Sequence, residues 1–237
     1  MANASLPLKS AVLKGTEFEQ RSLSILQKCL SMSLSRVGGK SDGGVDLQGW
    51  WWLPSLALAH ASRDPISAQG EFDDGVRRRI RILAQCKAIQ KKMGPNFVRE
   101  MEGVFHQYPD QCAMLGMDTP FAPVSSRFGV TLLSPRSGDH KIPTIAMLIS
   151  QSPFTNSTIL RAMSSSVPFF LLHLPEHNSG DNEYNNPIGS VIWNKSLYGD
   201  DGLLGGQVEV RWERYLGGGG QPRLWWRGKQ LQSWVPA

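Results

Sequence analysis

Arg78-Arg79-Ile80-Arg81-Ile82-Leu83-Ala84-Gln85-Cys86-Lys87-Ala88-Ile89 is the stretch that decides the fold. Ile80, Ile82, Ala84, Cys86 and Ala88 fall on one side of it, and Arg79, Arg81, Leu83, Gln85 and Lys87 on the other. A period of two is the mark of a strand with two different faces. Read as a strand, the segment sends Cys86 to the core and turns Gln85 and Lys87 toward a common polar side.

A second strand is predicted upstream, over Val45 to Leu53, with Val45, Leu47, Trp51 and Leu53 on one face and Asp46, Gln48, Trp50 and Trp52 on the other. Pro54 is expected to stop it. Before it, residues 15 to 36 read as a helix with Phe18, Ile25, Leu26, Cys29 and Leu30 as its apolar stripe. Thr16 and Glu19 have the spacing of a capping box, and Gly38-Gly39 supplies a stop.

Downstream, Pro95 to His106 reads as a helix, with proline at a permitted early position. Ile145 to Ser150, Thr155 to Ser165 and Val167 to Leu174 read as strand, helix and strand, the order of a parallel crossover. Thr155 or Asn156 is its helix cap. Val208 to Tyr215 and Leu224 to Trp226 read as strands about the run Gly217 to Gly220. That run lacks the lysine and hydroxyl of a phosphate-binding loop.

A chain of 237 residues, 41% hydrophobic and 19% charged, fits one elaborated globular domain with a substantial core. The net charge of +5 and a pI near 9.2 suit a polyanionic partner. Cys29, Cys86 and Cys112 form no C-x-x-C pair, which argues against a disulfide framework or a cysteine-rich zinc site. No apolar run approaches the ~20 residues of a membrane-spanning helix. Residues 1 to 14 read as a tail or presequence remnant, basic and hydroxyl-bearing before Glu17.

The chemistry that these residues suggest is phosphodiester hydrolysis. It needs a divalent cation held by oxygen ligands, and a positive group beside the attacking water. Asp46 offers a carboxylate, Gln85 an amide oxygen and Lys87 the cation. If the two strands are neighbours, all three meet on one face. Glu19 is a fourth candidate, as ligand or as cap. Arg79, Arg81, Lys91 and Lys92 belong to a basic run without an acid and are candidates for phosphate contact. Each residue also has a plainer reading: Asp46 as a turn residue, Lys87 and the arginines as a solvated strand face, the tryptophans as core. The histidines show no metal-ligand spacing, and Ser164 to Ser166 lack a nucleophile-elbow context.

The order Gly15-x-x-Phe18-Glu19, then Gly38-Gly39-Lys40-Ser41-Asp42-Gly43-Gly44-Val45-Asp46-Leu47, then Gln85-Cys86-Lys87, resembles the Mrr-type branch of the restriction-endonuclease-like superfamily. More closely, Asp46-Leu-Gln-Gly-Trp, Pro54, Gln85-Cys-Lys-Ala, Arg99-Glu-Met-Glu-Gly103, Trp193-Asn194 and Leu203-Leu204 resemble a fungal family of mitochondrial proteins required for respiratory growth.

The resemblance implies an α/β fold, with a restriction-endonuclease-like mixed β-sheet flanked by helices over residues 15 to 175. A β-rich extension over 176 to 237 would pack on it. It also implies a nuclease site of Asp46, Gln85 and Lys87 assisted by Glu19, with Asp46, Gln85 and Glu19 around Mg²⁺ or Mn²⁺. The expected partner is mitochondrial nucleic acid, DNA ahead of RNA, with the oligomeric state open and a homodimer among the options. Many superfamily members carry an acid where Gln85 stands, whereas glutamine is usual in the Mrr branch. Two alternatives stand beside hydrolysis: a nuclease fold kept for binding nucleic acid or a protein, and an assembly factor of the respiratory apparatus.

Overall fold

The computed structural model describes residues 11–37, 43–54, 77–114, 142–176, 188–214 and 220–236. Helix α1 (Ala11–Leu30) is followed by strands β1 (Met32–Arg36), β2 (Leu47–Pro54) and β3 (Arg77–Lys87). Then come α2 (Asn96–Met114), β4 (Thr144–Ser150), α3 (Asn156–Met163) and β5 (Phe169–His173). The C-terminal part holds β6 (Ser190–Trp193), α4 (Lys195–Tyr198), β7 (Val208–Arg214), β8 (Gly220–Trp226) and β9 (Lys229–Gln230).

Strands β1 to β6 form one mixed sheet in sequence order. The first three are antiparallel, β3, β4 and β5 are parallel, and β6 returns antiparallel. The expected mixed sheet flanked by helices and the expected crossover from β4 through α3 to β5 are therefore present. The central strands are buried on both faces, and Ile145 to Ile149 of β4 are fully buried, the apolar run expected of such strands. One face packs Ile80, Ile82, Ala84 and Cys86 against Phe18, Ile25, Leu26 and Leu30 of α1. The other packs Leu83, Ala146, Leu148 and Leu171 against Val98 and Met101 of α2 and Ala162 of α3.

The C-terminal part completes this body. Strand β6 adds an edge to the main sheet, while β7, β8 and β9 form a small sheet. Leu204, Val208, Leu224 and Trp226 join the core on the α1 side. Buried Asn194 ties the pieces together. Its Oδ1 accepts from the amides of Phe169 and Leu197, and its Nδ2 donates to the carbonyls of Ala162, Ser165 and Val167.

The first helix departs from its reading. It begins at Ala11, so Thr16 lies within it and is no N-cap, and residues 11 to 14 belong to the helix rather than to a tail. It ends at Leu30, where Ser31 takes a left-handed φ of 56°, and Met32 to Arg36 form a strand instead of continuing the helix. The causes are remote. The Ser31 carbonyl accepts from Trp52 N–H, its N–H donates to Ser233 Oγ, and its hydroxyl accepts from Trp234 N–H. Pro54 does not break β2 but closes it, opposite Arg77. Thr155 caps α3 as expected. The stop at Gly38-Gly39 and the run Gly217 to Gly219 lie outside the described residues.

Candidate functional site

The site is built where β2 begins and β3 ends. Gly43 and Gly44 hold φ of 61° and 86°, a left-handed pair for which glycine is suited. The turn delivers Asp46 one residue before the first rung, Leu47↔Ala84. Asp46 N–H donates to the Ala84 carbonyl, and its Oδ2 accepts the Cys86 N–H at 2.7 Å. The carboxylate thus takes the place of the next backbone rung and is fixed on the amide of Cys86, the residue after Gln85. Val45 departs from its expected face. It joins the α2-side core while Leu47 joins the α1-side core, because regular alternation starts only at Leu47.

Strand β3 follows its predicted alternation, with Cys86 toward α1 and Gln85 and Lys87 on the side of Leu83 and α2. That side is not a solvated face. Arg81 and Gln85 are only 8% and 6% exposed, and Val98 and Met101 of α2 pack into the same core as Leu83 between them. The Gln85 amide packs by the Gly44 turn and Val104 of α2. Its Oε1 is buried and has no hydrogen-bond partner among the described residues. Leaving a buried carbonyl oxygen unpaired costs ~1–3 kcal/mol, so such an atom calls for an explanation. Half-buried Lys87 carries its ammonium 5.8 Å from the centre of the Phe97 ring.

Glu19 reaches this end of the sheet from α1. Its carboxylate pairs with Arg36 of β1 at 2.5 Å, and the residue after Arg36 donates its N–H to the Asp46 carbonyl. The capping-box role is therefore excluded. Cys86 registers the convergence: burial, then the Asp46 and Glu19 carboxylates, push its thiol far above the ordinary value, and hydrogen bonding by Ser22 and the Lys87 charge oppose them only in part. Among the described residues, no three His, Cys, Asp or Glu side chains form a metal-binding group. An ion at this position would rest on Asp46, Glu19 and the neutral oxygen of Gln85. That unpaired oxygen and an Asp46 already oriented by a backbone N–H fit such an ion, since ligating carboxylates are usually held by outer hydrogen bonds.

The four basic candidates do not form one patch. Lys91 and Lys92 are exposed in the turn after Lys87. Arg79 and Arg81 lie toward the other end of β3, and both stack over Trp50. Of the three tryptophans, Trp51 is fully buried, edge-on to Phe170 at 5.8 Å, and Trp52 is buried as well. His173 is a further neighbour, from a set of histidines without metal-ligand spacing. The register sets Lys87 opposite Ser150 and Ser150 opposite His173, so His173 shares the carboxyl ends of the parallel strands with Lys87. The order of the crossover was the available signal. A cleft of about 530 Å³ lies elsewhere, between Trp193, Lys195, Tyr198, Asp200 and Glu209.

Comparison with known proteins points the same way as the motifs. Residues 10–120 match the family model of Required for respiratory growth protein 7. The N-terminal half of this chain is similar to that family. An uncharacterised mitochondrial protein of Schizosaccharomyces pombe is 32% identical over 100 residues, covering 42% of this chain and 32% of its own. Required for respiratory growth protein 7 of Zygosaccharomyces rouxii is 31% identical over 116 residues, covering 41% of this chain and 48% of its own. The Saccharomyces cerevisiae protein of that name is 32% identical over 117 residues, covering 40% and 48%. The matched segments thus span about a third to a half of these relatives. All three relatives are named mitochondrial, which bears out the expected location. No solved structure gives a significant match. No helix among the described residues is long and apolar enough to cross a membrane.

Proposed function

We propose that this chain is a metal-dependent nuclease that hydrolyses phosphodiester bonds of mitochondrial nucleic acid, DNA ahead of RNA, on a restriction-endonuclease-like sheet. One observation supports the reading: the buried Oε1 of Gln85 is unpaired among the described residues, while the Asp46 carboxylate is fixed on the amide of Cys86, the next residue, and Lys87 follows two residues on along the Gln85 face. Bound Mg²⁺ or Mn²⁺ would supply Lewis-acid charge at the phosphate and an acidified water. Asp46 and Gln85 would hold it, and Glu19 would approach from α1. Lys87 would orient the attacking water and offset charge that develops on the phosphate. Lys91 and Lys92 would meet the flanking backbone. The role that the relatives' name describes, respiratory growth, is consistent with maintenance or expression of the organellar genome.

A second reading has its own support. Glu19 is engaged by Arg36, and no three-acid group forms among the described residues, as suits a nuclease fold kept for binding. One experiment separates the two. Purified protein is incubated with duplex DNA, single-stranded DNA and RNA in Mg²⁺ or Mn²⁺. The first reading expects cleavage that Asp46→Asn and Lys87→Met each reduce on the order of 100-fold or more. Cleavage that both variants retain refutes the site, and salt-dependent binding without cleavage establishes the second reading.

A further inference from the structure

Strand β2 carries Trp50 opposite Arg81, on the side of the sheet that Gln85 and Lys87 also face, and Arg81 lies four residues along β3 from Gln85, or about 13 Å at strand spacing. Across the ladder, Trp50 pairs with Arg81 and its neighbour Trp52 with Arg79. Both guanidinium groups turn onto the Trp50 ring. The Arg79 carbon is 4.3 Å from the ring centre and the Arg81 carbon 5.8 Å. Arg81 is only 8% exposed, Arg79 is exposed and Trp50 is half-buried. Among the described residues neither arginine meets a carboxylate.

That combination is unusual for a merely structural arginine, which is buried against an acid or a carbonyl. Here the positive charge is ordered by an aromatic surface and left uncompensated. Stacking removes the rotational freedom that a flexible arginine would lose on binding, and leaves the donors at the guanidinium edge available to an oxyanion. Planar donors in this arrangement match phosphate geometry in a way that ammonium groups do not.

We propose that Trp50, Arg79 and Arg81 form a phosphate clamp that grips the backbone of a nucleic-acid strand away from the Asp46–Gln85–Lys87 site. Trp50 is the positioning residue, and the arginines make the contact. The clamp rests on the nuclease-fold reading for its ligand class and adds a length requirement. Phosphates of one strand advance about 3.4 Å per step along a duplex, so about 13 Å corresponds to about four steps. A ligand must be a polynucleotide of about five residues or more to reach both sites.

The test is equilibrium binding in Ca²⁺ or EDTA, by anisotropy of fluorescein-labelled 3-nucleotide and 12-nucleotide DNA and RNA, single-stranded and duplex. Wild type is expected to bind the 12-mer at least 10-fold more tightly than the 3-mer. Arg79→Gln and Trp50→Leu are expected to lose about 5- to 10-fold on the 12-mer only, and Arg79→Gln to lower the salt slope by about one. Arg79 is exposed, so its variants retain the fold whatever becomes of Arg81, and thermal melting checks this. Arg79→Lys keeps the charge but not the planar stack, and is expected to recover only part of the affinity. Unchanged affinity and slope in Arg79→Gln and Trp50→Leu would overturn the clamp, as would equal competition by polyglutamate. Because no cleavage is read, loss of the clamp and loss of the nuclease reading are told apart: an inactive Asp46→Asn protein is still expected to bind the 12-mer.

Discussion

Two buried amides show how differently this fold treats the same functional group. Asn194, at the junction of β6 and α4, is 1% exposed, and both ends of its amide are engaged by backbone from α3, β5 and α4. Gln85, near the end of β3, is 6% exposed, and its carbonyl oxygen has no hydrogen-bond partner among the described residues. Burial alone therefore does not classify a polar side chain. A buried amide with all its bonds made within the chain holds secondary structure together. One with an oxygen left open is the group that the proposed metal site would use.

The largest expected effect is at Asn194. Asn194→Ala strips partners from several buried backbone groups at once, so a loss of about 3 kcal/mol or more is expected in urea denaturation. A loss below about 1 kcal/mol would erase the contrast. Gln85→Leu is the matching change at the other amide. It removes an unpaired oxygen at similar volume, so stability should move by less than about 1 kcal/mol, while Mn²⁺ affinity in titration calorimetry should fall at least about 10-fold. Destabilisation as large as that of Asn194→Ala would make Gln85 a structural residue too.

The smallest effect concerns Cys86, whose thiol feels both the Asp46 and the Glu19 carboxylates. Its thiol is raised by burial and then by Asp46 and Glu19, so it stays protonated in the folded chain. The unfolded chain releases that proton above about pH 8.5. The unfolded state then binds fewer protons, so stability is complete below that pH and declines as pH rises above it. Cys29, raised by burial, adds to the same slope. Cys86→Ala should flatten the alkaline decline of the melting temperature by a few degrees relative to Cys29→Ala. An identical slope in the two variants would place the Cys86 thiol outside the influence of Asp46 and Glu19.

Much of this architecture was legible before any coordinates. The alternation of Ile80, Ile82, Ala84 and Cys86 against Leu83, Gln85 and Lys87 fixed β3 and the direction of its side chains, because a period of two leaves no other arrangement. The strand–helix–strand at 144 to 173 was legible for the same reason, with Thr155 as its cap. The first helix was read too far because its apolar spacing continues past Leu30. Its end depends on hydrogen bonds from residues 52, 233 and 234 to Ser31, which no local window contains. The same limit hid the split of the basic residues, since Arg79 and Lys91 are close in sequence while β3 separates them along the sheet.

The sequence by itself determined which residues face which way along β3, and so that Gln85 and Lys87 travel together. Spacing along one chain is enough for that, since backbone geometry sets the period. Only the tertiary structure decided that Asp46 completes the β3 ladder with its carboxylate, that Glu19 turns to Arg36, and that the Gln85 oxygen is left unpaired. Those outcomes depend on which strands pair and on what the helices cover. They are set by contacts between segments far apart in the chain, where burial decides the cost of every unpaired group.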